Sequence, residues 1–160
     1  MLDRARAKCA ADFRRDALPA LDTAGTYDAV VMIRGVVNHL RPAALDPAIA
    51  AIRERLADDG VLVFDNAPLP KHGNRPDLDV GETEHGPYAR VAQHAPRDDG
   101  TIEWREVVFP PGGDCFISRR LLTPFDDAAL TAVLADAGCS IEPFDGYGTD
   151  DRRTVFVATR

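Results

Sequence analysis

The sequence predicts an α/β protein: a sheet with a parallel strand pair, carrying an inserted antiparallel meander. Two observations carry the parallel pair. The runs 27–33 (Tyr-Asp-Ala-Val-Val-Met-Ile) and 61–64 (Val-Leu-Val-Phe) flank a segment with helical spacing, which is the order of a βαβ unit. Both runs are apolar at nearly every position, as suits strands covered on both faces. A third observation carries the meander. Three alternating segments between residues 88 and 122 are separated by Arg97-Asp98-Asp99-Gly100 and by Pro110-Pro111-Gly112-Gly113-Asp114. Turn residues between alternating runs are the pattern of antiparallel neighbours.

Taken in order, residues 2–10 read as an arginine-rich helix with Leu2, Ala5, Ala7 and Cys9 on a small apolar side. No capping residue precedes it. Residues 11–16 are expected to form a short strand, and 17–21 a loop or single turn. Gly25-Thr26 punctuates the start of strand 27–33, and Arg34-Gly35 its end. Residues 36–40 read as a short helix that stops before Pro42. Leu45, Ile49, Ile52 and Leu56 mark a helix over 43–57. Asp58-Asp59-Gly60 reads as a turn, and Asp65-Asn66 ends the following strand. Residues 67–87, with four prolines and three glycines, read as a long loop or lid. Strands are expected over 88–94, 101–109 and 115–122. Asp126 or Asp127 caps a helix carrying Leu130, Val133 and Leu134, which Gly138 ends. Runs 140–144 and 154–158 read as a hairpin, joined through Gly146-Tyr147-Gly148, that finishes the sheet.

The 160 residues are expected to form one domain, with 67–122 as lid and antiparallel insertion. A hydrophobic content of 45% with 28% charged residues is globular composition and argues against disorder. A net charge of −7 argues against binding nucleic-acid phosphates or anionic lipid, so neither nucleic acid nor membrane is an expected partner. No apolar run reaches the roughly 20 residues that span a bilayer. The charged N-terminus lacks a signal-peptide core. Three widely spaced cysteines form no disulfide framework, which fits a cytoplasmic location.

Several familiar chemistries lack their residues. None of His39, His72, His85 and His94 has metal-ligand spacing to another, so no metal is expected. There is no Gly-x-Ser-x-Gly elbow, and the single Gly-x-Gly precedes a strand rather than a helix. Trp104 and Tyr88 either line a pocket or fill a sheet face. More suggestive is one edge of the sheet. Asp16, the segment Met32-Ile33-Arg34 and the pair Asp65-Asn66 each end an expected strand. Ligands of parallel α/β sheets bind at the carboxyl ends of the strands.

At these residues the chain resembles the class I S-adenosylmethionine-dependent methyltransferases. Residues 1–8 and 12–18 are similar to that family's second helix and third strand. Gly25-Thr-Tyr-Asp-Ala-Val-Val-Met-Ile33 with Val36-Val-Asn-His-Leu40 is similar to its fourth strand and the following helix, and 56–65 to its fifth strand. The meander with Thr123-Pro-Phe-Asp-Asp-Ala-Ala-Leu130 resembles small-molecule N-methyltransferases of the amino-sugar-modifying kind. The resemblance implies a partial Rossmann-like sheet, equivalent to strands three to seven. It implies S-adenosylmethionine as cofactor and a small-molecule acceptor, most plausibly an amine. It also implies roles: Asp16 and Ala17 at the adenine, Met32, Ile33 and Arg34 along the cofactor, and Val37 packed near it. His39, Asp65, Asn66 and Tyr88 are then the acceptor-side candidates. No residue is singled out as catalytic.

The same resemblance places a first strand, a glycine-rich loop and a ribose-binding acid ahead of Met1. The chain is therefore expected to be an incomplete or split enzyme, or alternatively an inactive methyltransferase-like fragment that acts as an interaction partner. In the family's sheet order, strand 27–33 becomes an unprotected edge unless residues 12–16 move in beside it. Such an edge invites pairing with a second copy or a complementing chain.

Overall fold

In a computed structural model, residues 2–147 and 152–160 are described. Strand β1 (Tyr27–Met32) leads into Arg34 and Gly35, both at positive φ (65° and 73°), which turn the chain off the sheet. Only a three-residue 3-10 turn, Val37–His39, follows where a helix over 36–40 was expected. The reason is downstream: Pro42 disfavours helical backbone at the residue before it, and Arg41 is extended (φ −76°, ψ 153°). A second 3-10 turn, Pro42–Ala44, runs into helix α2 (Leu45–Glu54). Its buried residues Leu45, Ala48, Ile49 and Ile52 stand at the i, i+3, i+4, i+7 spacing.

Strand β2 (Leu56–Asn66) begins earlier than the sequence suggests. Leu56 already pairs with Tyr27, and pairing resumes with Ala29 opposite Val61. Residues 57–60 bulge out between the two pairs. The expected turn at 58–60 is thus absorbed into an irregular strand. Gly60 is required there, because a Cβ would stand 2.9 Å from both the nitrogen and the oxygen of Ala57. β1 and β2 run parallel, as the βαβ pattern requires.

The chain closes with helix α3 (Asp127–Asp136) and strands β7 (Ser140–Asp145) and β8 (Thr154–Thr159). Four strands lie between β2 and α3: β3 (Asp77–Thr83), β4 (Gly86–Pro96), β5 (Ile102–Phe109) and β6 (Phe116–Leu122). The first sheet has the order β1-β2-β8-β7, with β8 antiparallel to both neighbours. The expected hairpin is present; part of its turn, Gly148, lies outside the described residues. Phe64 and Phe156 stack at 5.0 Å between ring centroids in the middle of this sheet, a contact worth about 0.5–1.5 kcal/mol beyond area burial. They join Leu62, Ile49, Ile52, Leu130 and Leu134 in one core.

The second sheet is the meander β3-β4-β5-β6, antiparallel throughout. It has four strands rather than three. Residues 77–83, read as part of the lid, form β3, paired from Asp77 opposite Ala92 to Thr83 opposite Gly86. The proline-rich stretch hid a strand whose alternation, Leu78 and Val80 among acids, is short and exposed.

Two further expectations are corrected. The N-terminal helix, α1, spans only Leu2–Arg6 and buries no residue, so tertiary packing does not extend it. Residues 11–16 carry no strand, and β1 is an edge of its sheet among the described residues.

Asn38 fastens the two sheets together. It is 1% exposed. Its amide donates to Asn66 Oδ1 (2.9 Å) and the Thr123 carbonyl (3.0 Å), and its oxygen accepts the Ala67 N–H (2.9 Å). The chain enters the second sheet after Asn66 and leaves it at Thr123, so one side chain holds both crossings. The Thr123 N–H returns a bond to the Asn38 carbonyl (2.7 Å), and its hydroxyl donates to the Leu40 carbonyl (2.6 Å).

Candidate active site

Two cavities open at the carboxyl end of β1. The first, about 340 Å³, is lined by Asp16, Ala17, Leu18, Leu21, Val36, His39 and Leu40. The second, about 420 Å³, lies between the rim of the first sheet and the inner face of the meander. Arg34, Gly35, Asn38 and His39 form one wall, and His94, Trp104, Arg120 and Leu122 the other. His39 lies on both linings. It sits at the end of the 3-10 turn, which the break at Arg34-Gly35 and the stop at Pro42 hold to one turn.

The first cavity has one acid and apolar walls. The backbone N–H groups of Ala17 and Asp22 donate to the two carboxylate oxygens of Asp16, each at 2.8 Å. These bonds fix the carboxylate and leave further lone pairs on both oxygens. Val36 is 40% exposed here, a large apolar side chain open to the cavity.

The second cavity is cationic and aromatic. His94 and Trp104 stack at 6.1 Å with 13° between planes, and the Arg120 guanidinium stands 5.0 Å from the Trp104 centroid. Strand register assembles this trio, since His94 is paired with Trp104 and Trp104 with Arg120. Burial, then the charge of Arg120, lowers the pKa of His39 below its ordinary 6.5. Burial alone lowers that of His94. Both imidazoles are therefore held in the neutral form at neutral pH.

The structure distributes the sequence candidates unevenly. Asp16, Ala17, Arg34 and His39 line the cavities. Ile33 is 47% exposed at the strand end, outside both linings. Met32 and Val37 belong to the hydrophobic core, Val37 with no exposed surface, so they face away from either cavity. Asp65 is also fully buried. It accepts the Gly35 N–H (2.8 Å), pairs with Arg153 (2.9 Å) and hydrogen-bonds Tyr147. Burial, then the charge of Asp65, raises the Tyr147 pKa. Asp65 thus sets the backbone behind the rim and does not reach the cavity. Asn66 is bound to Asn38, the Phe125 carbonyl (2.9 Å) and Asp127 (2.6 Å). Tyr88 points its hydroxyl at Asp79 (3.4 Å), on the inner face of the meander but outside both linings.

Reading by residue type missed Val36, Asn38, Leu40, His94 and Arg120, and left Trp104 undecided. The signal for three of them was register: turns at 97–100 and 110–114 place residues 94, 104 and 120 abreast.

A scan of protein-family models gives no match, and a comparison with curated protein sequences gives none either. Solved structures do match. An S-adenosylmethionine-dependent methyltransferase from Clostridium acetobutylicum superposes with a TM-score of 0.82 at 14% identity, over 99% of this chain and 68% of that one. The sugar N-methyltransferase KedS8 from Streptoalloteichus matches with a TM-score of 0.75 at 26% identity, over 98% of this chain and 65% of that one. CalS10, an amino pentose methyltransferase from Micromonospora echinaspora solved with S-adenosylmethionine bound, matches with a TM-score of 0.68 at 30% identity, over 90% and 62%. The chain spans about two thirds of the length of each. In fold it is a class I S-adenosylmethionine-dependent methyltransferase-like protein, and small-molecule sugar N-methyltransferases are among its structural neighbours.

Proposed function

We propose that this chain forms the acceptor side and the adenine end of an S-adenosylmethionine-dependent methyltransferase acting on a small amine, with amino sugars as the first class of acceptor to test. The observation that carries the reading is the meeting of two unlike cavities at His39. The first fits one end of the cofactor: Asp16 can accept an amino N–H, and Val36, Leu18 and Leu40 supply apolar walls for a base. The neighbours named as sugar or amino pentose methyltransferases support the acceptor class.

When bound, the cofactor supplies a sulfonium-activated methyl group, which an amine lone pair takes up as the carbon–sulfur bond breaks. The chain's own residues do the rest. The Trp104 face and the cavity walls hold the acceptor at the seam and exclude water, which converts encounter into alignment. Neutral His39 stands on that seam as acceptor for the proton the amine must lose. Burial first, and the charge of Arg120 second, keep it neutral and so competent. A positive wall also disfavours a protonated ammonium acceptor, which has no lone pair to offer.

The test is methyl transfer from labelled S-adenosylmethionine to a panel of amino sugars and their hydroxyl analogues, read by mass spectrometry. Methylated nitrogen on an amino sugar is expected. Transfer to hydroxyl acceptors alone would remove the amine reading, and no transfer to any acceptor would remove the enzyme reading.

A further inference from the structure

Trp104 is covered on both faces of its ring. It stands on β5, between His94 on β4 and Arg120 on β6, and register sets the three abreast. His94 stacks against one face, 6.1 Å between centroids. The Arg120 guanidinium comes from the opposite neighbouring strand and lies over the other face, 5.0 Å from the ring centroid. An indole face is a broad apolar contact surface, suited to the C–H face of a sugar ring. In this structure neither face is open to such a ring.

The two covers are held with unequal firmness. His94 lies on a strand paired on both sides, and its backbone N–H donates to Asn74 Oδ1 (2.7 Å). Arg120 lies on β6, an edge of its sheet among the described residues, and its side chain is 48% exposed. Its two contacts are loose. A cation–π contact at an exposed site is weak. The Glu106 carboxylate stands 3.7 Å away, beyond the ~2.7–2.9 Å of a full charge-assisted hydrogen bond. Glu106 also lies 4.0 Å from Arg90, but Arg90 has Asp79 as its nearer acid, at 3.6 Å. The buried Glu106 therefore has capacity left for a closer Arg120. It also stands outside the lining of the second cavity, so an Arg120 drawn onto it leaves that cavity.

We propose that Arg120 is a displaceable cover on Trp104: a sugar ring takes its place on the indole face, and Arg120 closes onto Glu106. The inference rests on the acceptor class proposed above. Arg120 is then a positioning residue, and Glu106 receives it. The lost cation–π contact is offset by the tightened ion pair, so the exchange is nearly balanced and the sugar's own contacts decide it. The exchange also reaches His39. The charged and titratable groups around that imidazole are Arg34, His94, Arg120 and Arg153 in the second cavity and Asp16 in the first. Arg120 is the one among them whose charge lowers the His39 pKa. Its withdrawal lifts that part of the displacement, so the base strengthens as the acceptor seats.

The experiment is a titration of the full chain with methyl glucoside, a sugar ring without an amine, followed by the emission of the single tryptophan. It needs neither cofactor nor methyl transfer, so its outcome is separate from that of the transfer assay. Arg120→Ala, Glu106→Gln and the double variant accompany it, each checked by circular dichroism. Arg120→Ala removes the competitor for the ring face and is expected to lower Kd about two- to fivefold, the equivalent of one exposed cation–π contact. Glu106→Gln weakens the receiving carboxylate and is expected to raise Kd at least about twofold. The double variant should match Arg120→Ala. In an NMR titration without sugar, Arg120→Ala should raise the His39 midpoint toward 6.5. Weaker binding in Arg120→Ala would make Arg120 a direct ligand of the sugar and overturn the inference. An unchanged Kd in that variant, or no binding by the full chain, overturns it as well. So does a Glu106→Gln effect that is absent, or that survives the loss of Arg120. If Glu106→Gln does not fold, Arg120→Ala, at a half-exposed position, decides alone.

Discussion

His39 lines both cavities, and the proposed chemistry turns on it. Its pKa is displaced downward by burial first and by Arg120 second. If the neutral imidazole takes the acceptor's proton, the rate falls as pH drops through that lowered pKa, on the acid side of 6.5. General bases contribute about 10²–10⁴-fold. His39→Gln is expected to lower kcat by at least the smaller of these and to remove the acid limb of the pH–rate profile. An unchanged limb in the variant would assign that titration to another group. The same displacement acts on stability. Unfolded His39 and His94 take up protons near 6.5, before the folded chain does, so their contribution is full above that pH and declines as pH falls toward the folded values. Thermal melts at pH 7.5 and 5.5 should show the lower midpoint at the acid pH, with a smaller difference in His39→Gln.

Asn38 was invisible as a residue type and decisive as a position. Removing its amide leaves the Ala67 N–H, Asn66 Oδ1 and the Thr123 carbonyl without a partner in a buried place. Each costs about 1–3 kcal/mol. Asn38→Ala should destabilise the chain by at least about 2 kcal/mol, a fall of roughly 4–8 °C in melting midpoint for a domain this size. A change under one degree would show that the two sheets are held by other contacts.

Among elements, the break after β1 matters most. Gly35 has φ +73°, and a Cβ there would stand 3.1 Å from Asn38 Oδ1 and 3.3 Å from Ala67 Cβ. Gly35→Ala is expected to cost about 1–3 kcal/mol through backbone strain and to displace the Asn38 amide. Chemical denaturation would read the first, and loss of activity beyond the fraction unfolded would read the second. β1, α2, β2, α3 and the closing hairpin were legible in sequence because their apolar spacing reports burial directly. β3 was not, because its apolar residues face solvent and prolines flank it. The segment 11–16 forms no strand although β1 offers an open edge among the described residues: only Phe13 among its residues favours strands, and the alanine, aspartates and arginines around it are exposed.

At the scale of the whole molecule, sequence order indicated the parallel pair and three of the four meander strands, and the way the two sheets approach one another forms the candidate site. Asp16 and His39 were legible because each stands where a chain segment ends against the rim. His94, Trp104 and Arg120 were not, because they come from three strands and converge only through register across two turns. Asp65 was misplaced by the same limit: strand-end position marks an edge but does not say whether a carboxylate faces cavity or core, and Gly35, Arg153 and Tyr147 claim it inward. The proposed function rests on the cavity at Asp16 receiving an adenine nucleoside, with His39 bounding it. The direct measurement is an NMR titration of the isotope-labelled chain with S-adenosylhomocysteine at millimolar concentration, repeated on Asp16→Ala. Amide shifts centred on Ala17, Leu18, Val36 and His39 are expected, abolished in the variant. Shifts centred elsewhere, or shifts that persist undiminished without the Asp16 carboxylate, would contradict it.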